Sequence, residues 1–215
     1  VPSTGRSVVG IPQEVIDLSG ARYAITADGA TVCQLSHGGH TDLRASTIPR
    51  DAVVGLLNLV AHSASYIDLF SEGEAYVERG EMRKLDGFGL LPGDVAYIRS
   101  VRHEIDTPLV DFVAEGHPVE RLTVFFADKG MRDAVYGFSQ ERGDLACYTS
   151  QWANIEVTSA GASKGSALLW LCDRLGIPVE ETVAFGDSLN DVSMLREAGI
   201  GVAMVNADEG VRVQA

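Results

Sequence analysis

Thr182-Val183-Ala184-Phe185-Gly186-Asp187-Ser188-Leu189-Asn190-Asp191-Val192-Ser193-Met194 concentrates most of the chain's candidate chemistry. Thr182 to Phe185 form a short apolar run rich in strand formers, and Gly186 breaks it. Such a run reads as a buried strand, a sharp turn and a helix start. Asp187 then stands at the carboxyl end of a strand, where open α/β sheets place their ligands. A carboxylate, an amide and a second carboxylate (Asp187, Asn190, Asp191) suit a hard cation such as Mg2+, which takes one or two carboxylates plus substrate oxygens. Asp187 or Ser188 would serve equally well as an ordinary cap for the following helix.

Upstream, Ser163-Lys164-Gly165 opens a helix running through Leu175, with Ser163 as N-cap and Gly176 as the stop. Lys164 precedes Asp187 by one helix and one connection, so both can face one crevice. A lysine at a helix N-terminus opposes the helix dipole. An anion held by both the ammonium and the helix end would offset that misplacement, whereas an ordinary surface lysine would simply be solvated.

These segments carry a resemblance. Ser163-Lys164-Gly165, Gly186 to Met194, and Gly201-Val202-Ala203-Met204-Val205-Asn206-Ala207 resemble the haloacid dehalogenase superfamily, specifically its Cof-type phosphatases with a C2B cap. Ser3-Thr4-Gly5-Arg6 looks like that family's second motif. Ala24-Ile25-Thr26-Ala27-Asp28-Gly29-Ala30 looks like its I-T-x-N-G-A segment, with Asp28 replacing the usual Asn. The resemblance implies an α/β fold: a Rossmannoid core with a parallel sheet over 1–45 and 159–215, and an inserted α+β cap over 46–158. It also implies a Mg2+-dependent phosphatase of small phosphorylated metabolites, sugar phosphates or similar. In that scheme Asp187 is the metal ligand, and Thr4, Gly5, Arg6, Lys164 and Asn190 bind phosphate. Lys164 and Asp191 take the catalytic roles, with Asp191 orienting the lysine or a metal-bound water.

Phe185-Gly186-Asp187-Ser188-Leu189 also looks like the nucleophile block of GDSL-type serine esterases. That chemistry needs a histidine base, which in those enzymes follows the block. Here His37, His40, His62, His103 and His117 all precede it.

The family's nucleophile lies in a D-x-D-G-T motif, and no D-x-D occurs in the 215 residues. The expectation is therefore a chain truncated at both ends relative to the pattern and inactive by itself. Two strands of the family's 5-4-1-2-3 sheet would be mostly missing, leaving about 10 to 15 Å between the strands at 182–185 and 22–26. A non-catalytic phosphate-binding or regulatory protein is the alternative reading.

Composition narrows the classes. A net charge of −13 argues against nucleic-acid or anionic-membrane partners, which draw on clustered Lys and Arg. A phosphate ester would need a local positive site, which a divalent cation, Lys164 and Arg6 would supply. The start has no apolar signal-peptide core, and no apolar run is long enough for a membrane span. Cys33, Cys147 and Cys172 are odd in number and far apart, which reads as buried thiols in a reducing cytoplasm.

Elsewhere the pattern predicts a helix at 12–18, a strand at 22–26 and a hairpin arm at 31–35. His37-Gly38-Gly39-His40 reads as a solvated loop rather than a metal site. Ser46 or Thr47 caps a helix with Pro49 in its first turn and a Val53, Val54, Leu57, Val60 stripe. Strands at 65–70 and 74–78 flank a turn, Thr107-Pro108 opens a helix, and Arg121 to Phe126 is a strand. Asp128 caps a helix to about 140, and strands at 144–148 and 154–158 complete a mainly antiparallel sheet with helices on one face. Leu168, Leu171 and Leu175 form the stripe of the helix at 163–175, and Trp170 lies off it as packing. A helix at 189–197 and a strand at 201–204 follow.

Overall fold

Helix α1 (Gln13–Ser19) begins after Pro12 and stops at Gly20, whose φ of 60° is the left-handed conformation glycine adopts without strain. It leads into β1 (Tyr23–Thr26), β2 (Thr31–Ser36) and β3 (Gly39–Ala45), which pair antiparallel in that order. A computed structural model describes residues 1–149 and 153–214. Strand β3 departs from the expectation: its sequence GHTDLRA alternates without a buried face, so no hydrophobic period announces it. The expected hairpin loop shrinks to the turn at His37-Gly38, and Ser3 bridges Ile25 in parallel on the other side of β1.

The chain divides into two units, Val1–Ser46 with Gly161–Ala215, and Thr47–Ala160. The second unit starts with α2 (Arg50–Val60), then β4 (Tyr66–Ser71), β5 (Glu74–Glu78), a 3-10 stretch at Glu81–Gly87, and α3 (Pro92–Val101). It continues through β6 (His103–Ile105), α4 (Leu109–Ala114), β7 (Arg121–Phe125), α5 (Lys129–Arg142), β8 (Leu145–Tyr148) and β9 (Asn154–Ser159). Helix α2 is capped by neither Ser46 nor Thr47, because Pro49, at φ −54° and ψ 134°, is itself the N-cap. The residue before a proline is steered out of the α region, so the helix starts later than expected. Asp128 does cap α5, accepting from the Gly130 N–H at 2.8 Å.

The six strands run in the order β6-β5-β4-β7-β9-β8, antiparallel except for β5 with β6. One face buries Leu69, Leu122, Val124, Ile155 and Val157 against α2, α4 and α5. The expectation places helices on that face alone. The other face also presents apolar groups, Tyr66, Val77 and Phe125, and these are covered by Leu85 and Phe88 with Val95 and Ile98 of α3.

In the first unit, the returning chain forms α6 (Lys164–Leu175), β10 (Val183–Gly186), a 3-10 turn at Leu189–Asp191, α7 (Val192–Glu197), β11 (Ile200–Ala203) and α8 (Glu209–Arg212). β10 pairs β11 in parallel, and the pair forms a sheet of its own, not hydrogen-bonded to β1. The strand, expected to be buried over 182–185, runs over Val183–Gly186 and buries only alternate residues. Ala184 packs with Met194, Leu195, Ala207 and Val211, while Val183 and Phe185 are more than half exposed.

Helix α6 is the element the two small sheets share. Leu168 packs both with the Ala184 group and with Ile25, Val32 and Leu171 of the β1–β2 side. Of the expected stripe, Leu171 is buried, whereas Leu175 points outward near the helix end. Trp170 packs beside the Ile25 and Val32 group, with the Arg44 guanidinium 6.0 Å from its ring centre. Among the described residues no helix is long and apolar enough to cross a membrane.

Candidate active site

The N-terminus of α6 is held by contacts on both sides. Ser163 caps it, its hydroxyl accepting from the Ser166 N–H at 3.0 Å, and the Ser166 hydroxyl accepts from the Ser163 N–H at 3.1 Å. This reciprocal box satisfies two N–H groups that a helix start otherwise leaves unpaired. On one side Gly29 meets the cap so closely that a Cβ there would lie 2.1 Å from the Ser163 carbonyl oxygen. On the other, a Cβ on Gly165 would lie 2.5 Å from the Ser193 carbonyl oxygen, and the Gly165 N–H donates to the Ser193 hydroxyl at 3.1 Å. These glycines let the 27–30 loop and the start of α7 close on the first turn of α6.

Lys164 occupies the first position of that turn and is buried. Its ammonium donates to Asp191 Oδ1 at 2.6 Å. Asp191 Oδ2 accepts from the Asp187 and Ser188 N–H groups at 2.9 and 3.1 Å. One buried carboxylate thus fixes both the lysine and the turn that carries Asp187. A buried charge is tolerated when it is paired and hydrogen-bonded in this way. Gly186 makes the turn possible, since a Cβ on it would lie 2.4 Å from the Asp191 Cβ.

Asp187 remains partly exposed at the end of β10. Its Oδ1 accepts from the Ser188 hydroxyl at 3.1 Å and its Oδ2 from the Asn206 amide at 2.8 Å. Ser188 therefore serves the loop, donating to a carboxylate and capping the 3-10 turn through Asp191. Asn190 donates its amide to Asp28 Oδ1 at 2.8 Å, and its own Oδ1 is buried without a hydrogen-bond partner among the described residues.

The N-terminal residues join through the backbone. The Thr4 N–H donates to the Ile25 carbonyl, the Asp28 N–H to the Thr4 carbonyl at 3.2 Å, and the Ala27 N–H to the Arg6 carbonyl. The Thr4 hydroxyl accepts from the Arg6 N–H at 3.1 Å, which folds Thr4, Gly5 and Arg6 into a tight turn. The Arg6 side chain is exposed and donates to the Gly10 carbonyl at 3.2 Å. Lys164, Asp191 and the Asp187 turn are thus assembled directly, while Asn190, next to Asp191 in the chain, and Thr4 are each bonded to Asp28.

The sequence alone assigns no role to Asp28, Ser193 or Asn206 in this assembly. Asn206 lies within the segment Gly201 to Ala207, so its place is within reach of motif reading. The Asp28 bond spans 162 residues and leaves no local signal.

Set against known proteins, the whole chain, residues 1–215, matches the family model described as haloacid dehalogenase-like hydrolase. It is 30% identical to phosphatase YwpJ of Bacillus subtilis over 99% of its own length and 79% of that protein's. A solved haloacid dehalogenase-like hydrolase from B. subtilis superposes with a TM-score of 0.82 at 29% identity, covering 99% of this chain and 79% of the other. A subclass IIB sugar phosphatase shares the fold with a TM-score of 0.78 at 24% identity, over 99% of this chain and 76% of its own. The parallel β10–β11 pair with its helices, the paired Lys164 and Asp191, and a match along the full sequence lead to one assignment: the chain belongs to the haloacid dehalogenase-like hydrolase family.

Proposed function

We propose that this protein provides a phosphatase site for small phosphorylated metabolites and works with Mg2+. The observation that carries the reading is the buried ammonium of Lys164, held 2.6 Å from Asp191, on the carboxylate that also positions the Asp187 turn. Relatives named as phosphatases, YwpJ among them, support the reaction class. Two oxygen donors fit a hard cation: the partly exposed Asp187 carboxylate and the Asn190 Oδ1, which has no hydrogen-bond partner among the described residues. Asp187 would be its principal ligand. When bound, the cation supplies charge that draws an anionic substrate to an acidic chain and stabilises the transferring phosphoryl group.

The chain's own residues do the rest by positioning and electrostatics, the main protein contribution in phosphoryl transfer. Lys164 holds a phosphoryl oxygen at the start of α6, where the helix dipole adds to its charge. Asp191 keeps the ammonium in place. Asn190 and the Thr4–Gly5 turn supply neutral polar contacts, and Arg6 stands at the rim. Thr47–Ala160 acts as the C2B-type cap that selects the substrate.

Turnover and binding separate in this chain. No D-x-D motif is present to supply an aspartate nucleophile, so the 215-residue polypeptide should bind phosphate without hydrolysing its esters. A phosphate-binding, non-catalytic role that uses the same residues without turnover is the second reading. The test assays p-nitrophenyl phosphate hydrolysis with Mg2+ in this chain and in one carrying an added N-terminal D-x-D strand. Hydrolysis in the extended chain alone supports the phosphatase reading. Phosphate binding with no hydrolysis in either supports the binding role, and robust turnover by the short chain contradicts the missing-nucleophile argument.

A further inference from the structure

We infer that Asp28 is a positioning residue that fixes the orientation of the Asn190 carboxamide in the phosphate site; the inference rests on the reading proposed above. A carboxylate offers only acceptors, so the 2.8 Å bond from Asn190 Nδ2 to Asp28 Oδ1 decides which end of the amide faces which way. The amide nitrogen is held toward Asp28. The buried Asn190 Oδ1 is left to meet a donor or a cation, and the second N–H of Nδ2 remains for an acceptor such as a phosphoryl oxygen.

The backbone that presents Asp28 is costly, and the surrounding structure imposes it. Ala27, Asp28 and Gly29 have φ values of 49°, 57° and 91° in succession. Non-glycine residues rarely enter this region, and Asp is among the few that do so repeatedly. Strain of this kind persists only where neighbours over-determine it, typically at functional sites. Here the neighbours are the Thr4 and Arg6 carbonyls, which accept from the Asp28 and Ala27 N–H groups, and the Ser163 carbonyl packed against Gly29. The same contacts place the carboxylate, which is 1% exposed, beside the 187–191 turn.

The test measures the dissociation constant of inorganic phosphate by calorimetry in saturating Mg2+, with the melting temperature recorded on the same samples. The variants are Asp28→Gly, Asp28→Asn, Asn190→Ala and the Asp28→Gly/Asn190→Ala double variant. Glycine accepts φ 57° without strain, so Asp28→Gly removes the acceptor while leaving the backbone at ease. The positioning role predicts phosphate binding roughly tenfold weaker in Asp28→Gly, the scale of one hydrogen bond to a charged group. Asparagine keeps an acceptor oxygen and the left-handed preference, so Asp28→Asn should stay within about threefold of the wild-type chain. In the Asn190→Ala background the Asp28→Gly loss should vanish.

Unchanged or tighter phosphate binding in Asp28→Gly, as removal of a like charge alone would give, overturns the role. So does an equal loss with Asn190 already absent. Failure of the wild-type chain to bind phosphate at all overturns the phosphate-site reading and this inference together, whereas binding without the Asp28 effect overturns this inference alone.

Discussion

The ammonium of Lys164 and the carboxylate of Asp191 are joined by a 2.6 Å hydrogen bond inside the first unit, both side chains less than a tenth exposed. The two partners are unequal. Asp191 also accepts from two backbone N–H groups, so it keeps partners when the lysine is removed, whereas Lys164 has a buried charge to lose. Truncating one member of a buried pair costs about 3 to 5 kcal/mol because the other charge is left uncompensated. We predict that Asp191→Ala destabilises by about that amount, and that Lys164→Met, which refills the space, costs clearly less. Urea denaturation of both variants checks the order.

Gly29 should be among the least replaceable glycines of the first unit. Its φ is 91°, and a methyl carbon added there would sit 2.1 Å from the Ser163 carbonyl oxygen, so Gly29→Ala must push the loop away from α6. A loss of roughly 3 kcal/mol or more is expected from strain and steric overlap together. Gly20 has a φ of 60° but open space around it, so Gly20→Ala should cost only about 1 kcal/mol. Comparing the two melting temperatures separates backbone strain from the contact with α6.

The cysteines make a separate prediction. Burial lifts the Cys33 thiol to about 11, with the nearby Asp42 charge adding to the effect, and burial also raises Cys172 and Cys147. Only the thiolate attacks. Native protein at about pH 8, below all three raised values, should therefore react slowly with a disulfide reagent, Cys33 slowest of the three. Denaturant should release all three at the rate of free thiols.

The outward face of β10 and β11 should be sticky. Val183 lies directly opposite Ile200 across the pair, Phe185 follows two residues on, and all three are more than half exposed. Contiguous exposed apolar groups favour association. Phe185→Lys should reduce binding of hydrophobic dyes and shift sedimentation toward monomer, with little change in melting temperature.

The features legible in sequence are those governed by neighbours along the chain. Ser163 and Gly176 follow from capping rules, and Asp128 from the same logic, because a cap is decided within four residues. Strand β3 escapes because its exposed, polar alternation has no buried face. Lys164, Asp187, Asn190 and Asp191 can be paired from motif spacing. Their partner Asp28 cannot, since a bond across 162 residues depends on how β1 meets α6. The exposure of Phe185 is hidden for the same reason: a strand's apolar run does not reveal whether a second layer covers it.

If Lys164 and Asp187 serve one ligand, a metal-associated phosphoryl group, then phosphate and cation must bind cooperatively. Calorimetric titration of inorganic phosphate with and without Mg2+ reads this out. Binding linkage requires each to raise the affinity of the other by the same factor, typically about 5- to 150-fold. We predict such reciprocity in the wild-type chain, its loss in Asp187→Asn, and loss of phosphate binding in Lys164→Met. Phosphate and Mg2+ that bind independently, or phosphate binding that survives Lys164→Met unchanged, would show that the two residues do not share a ligand.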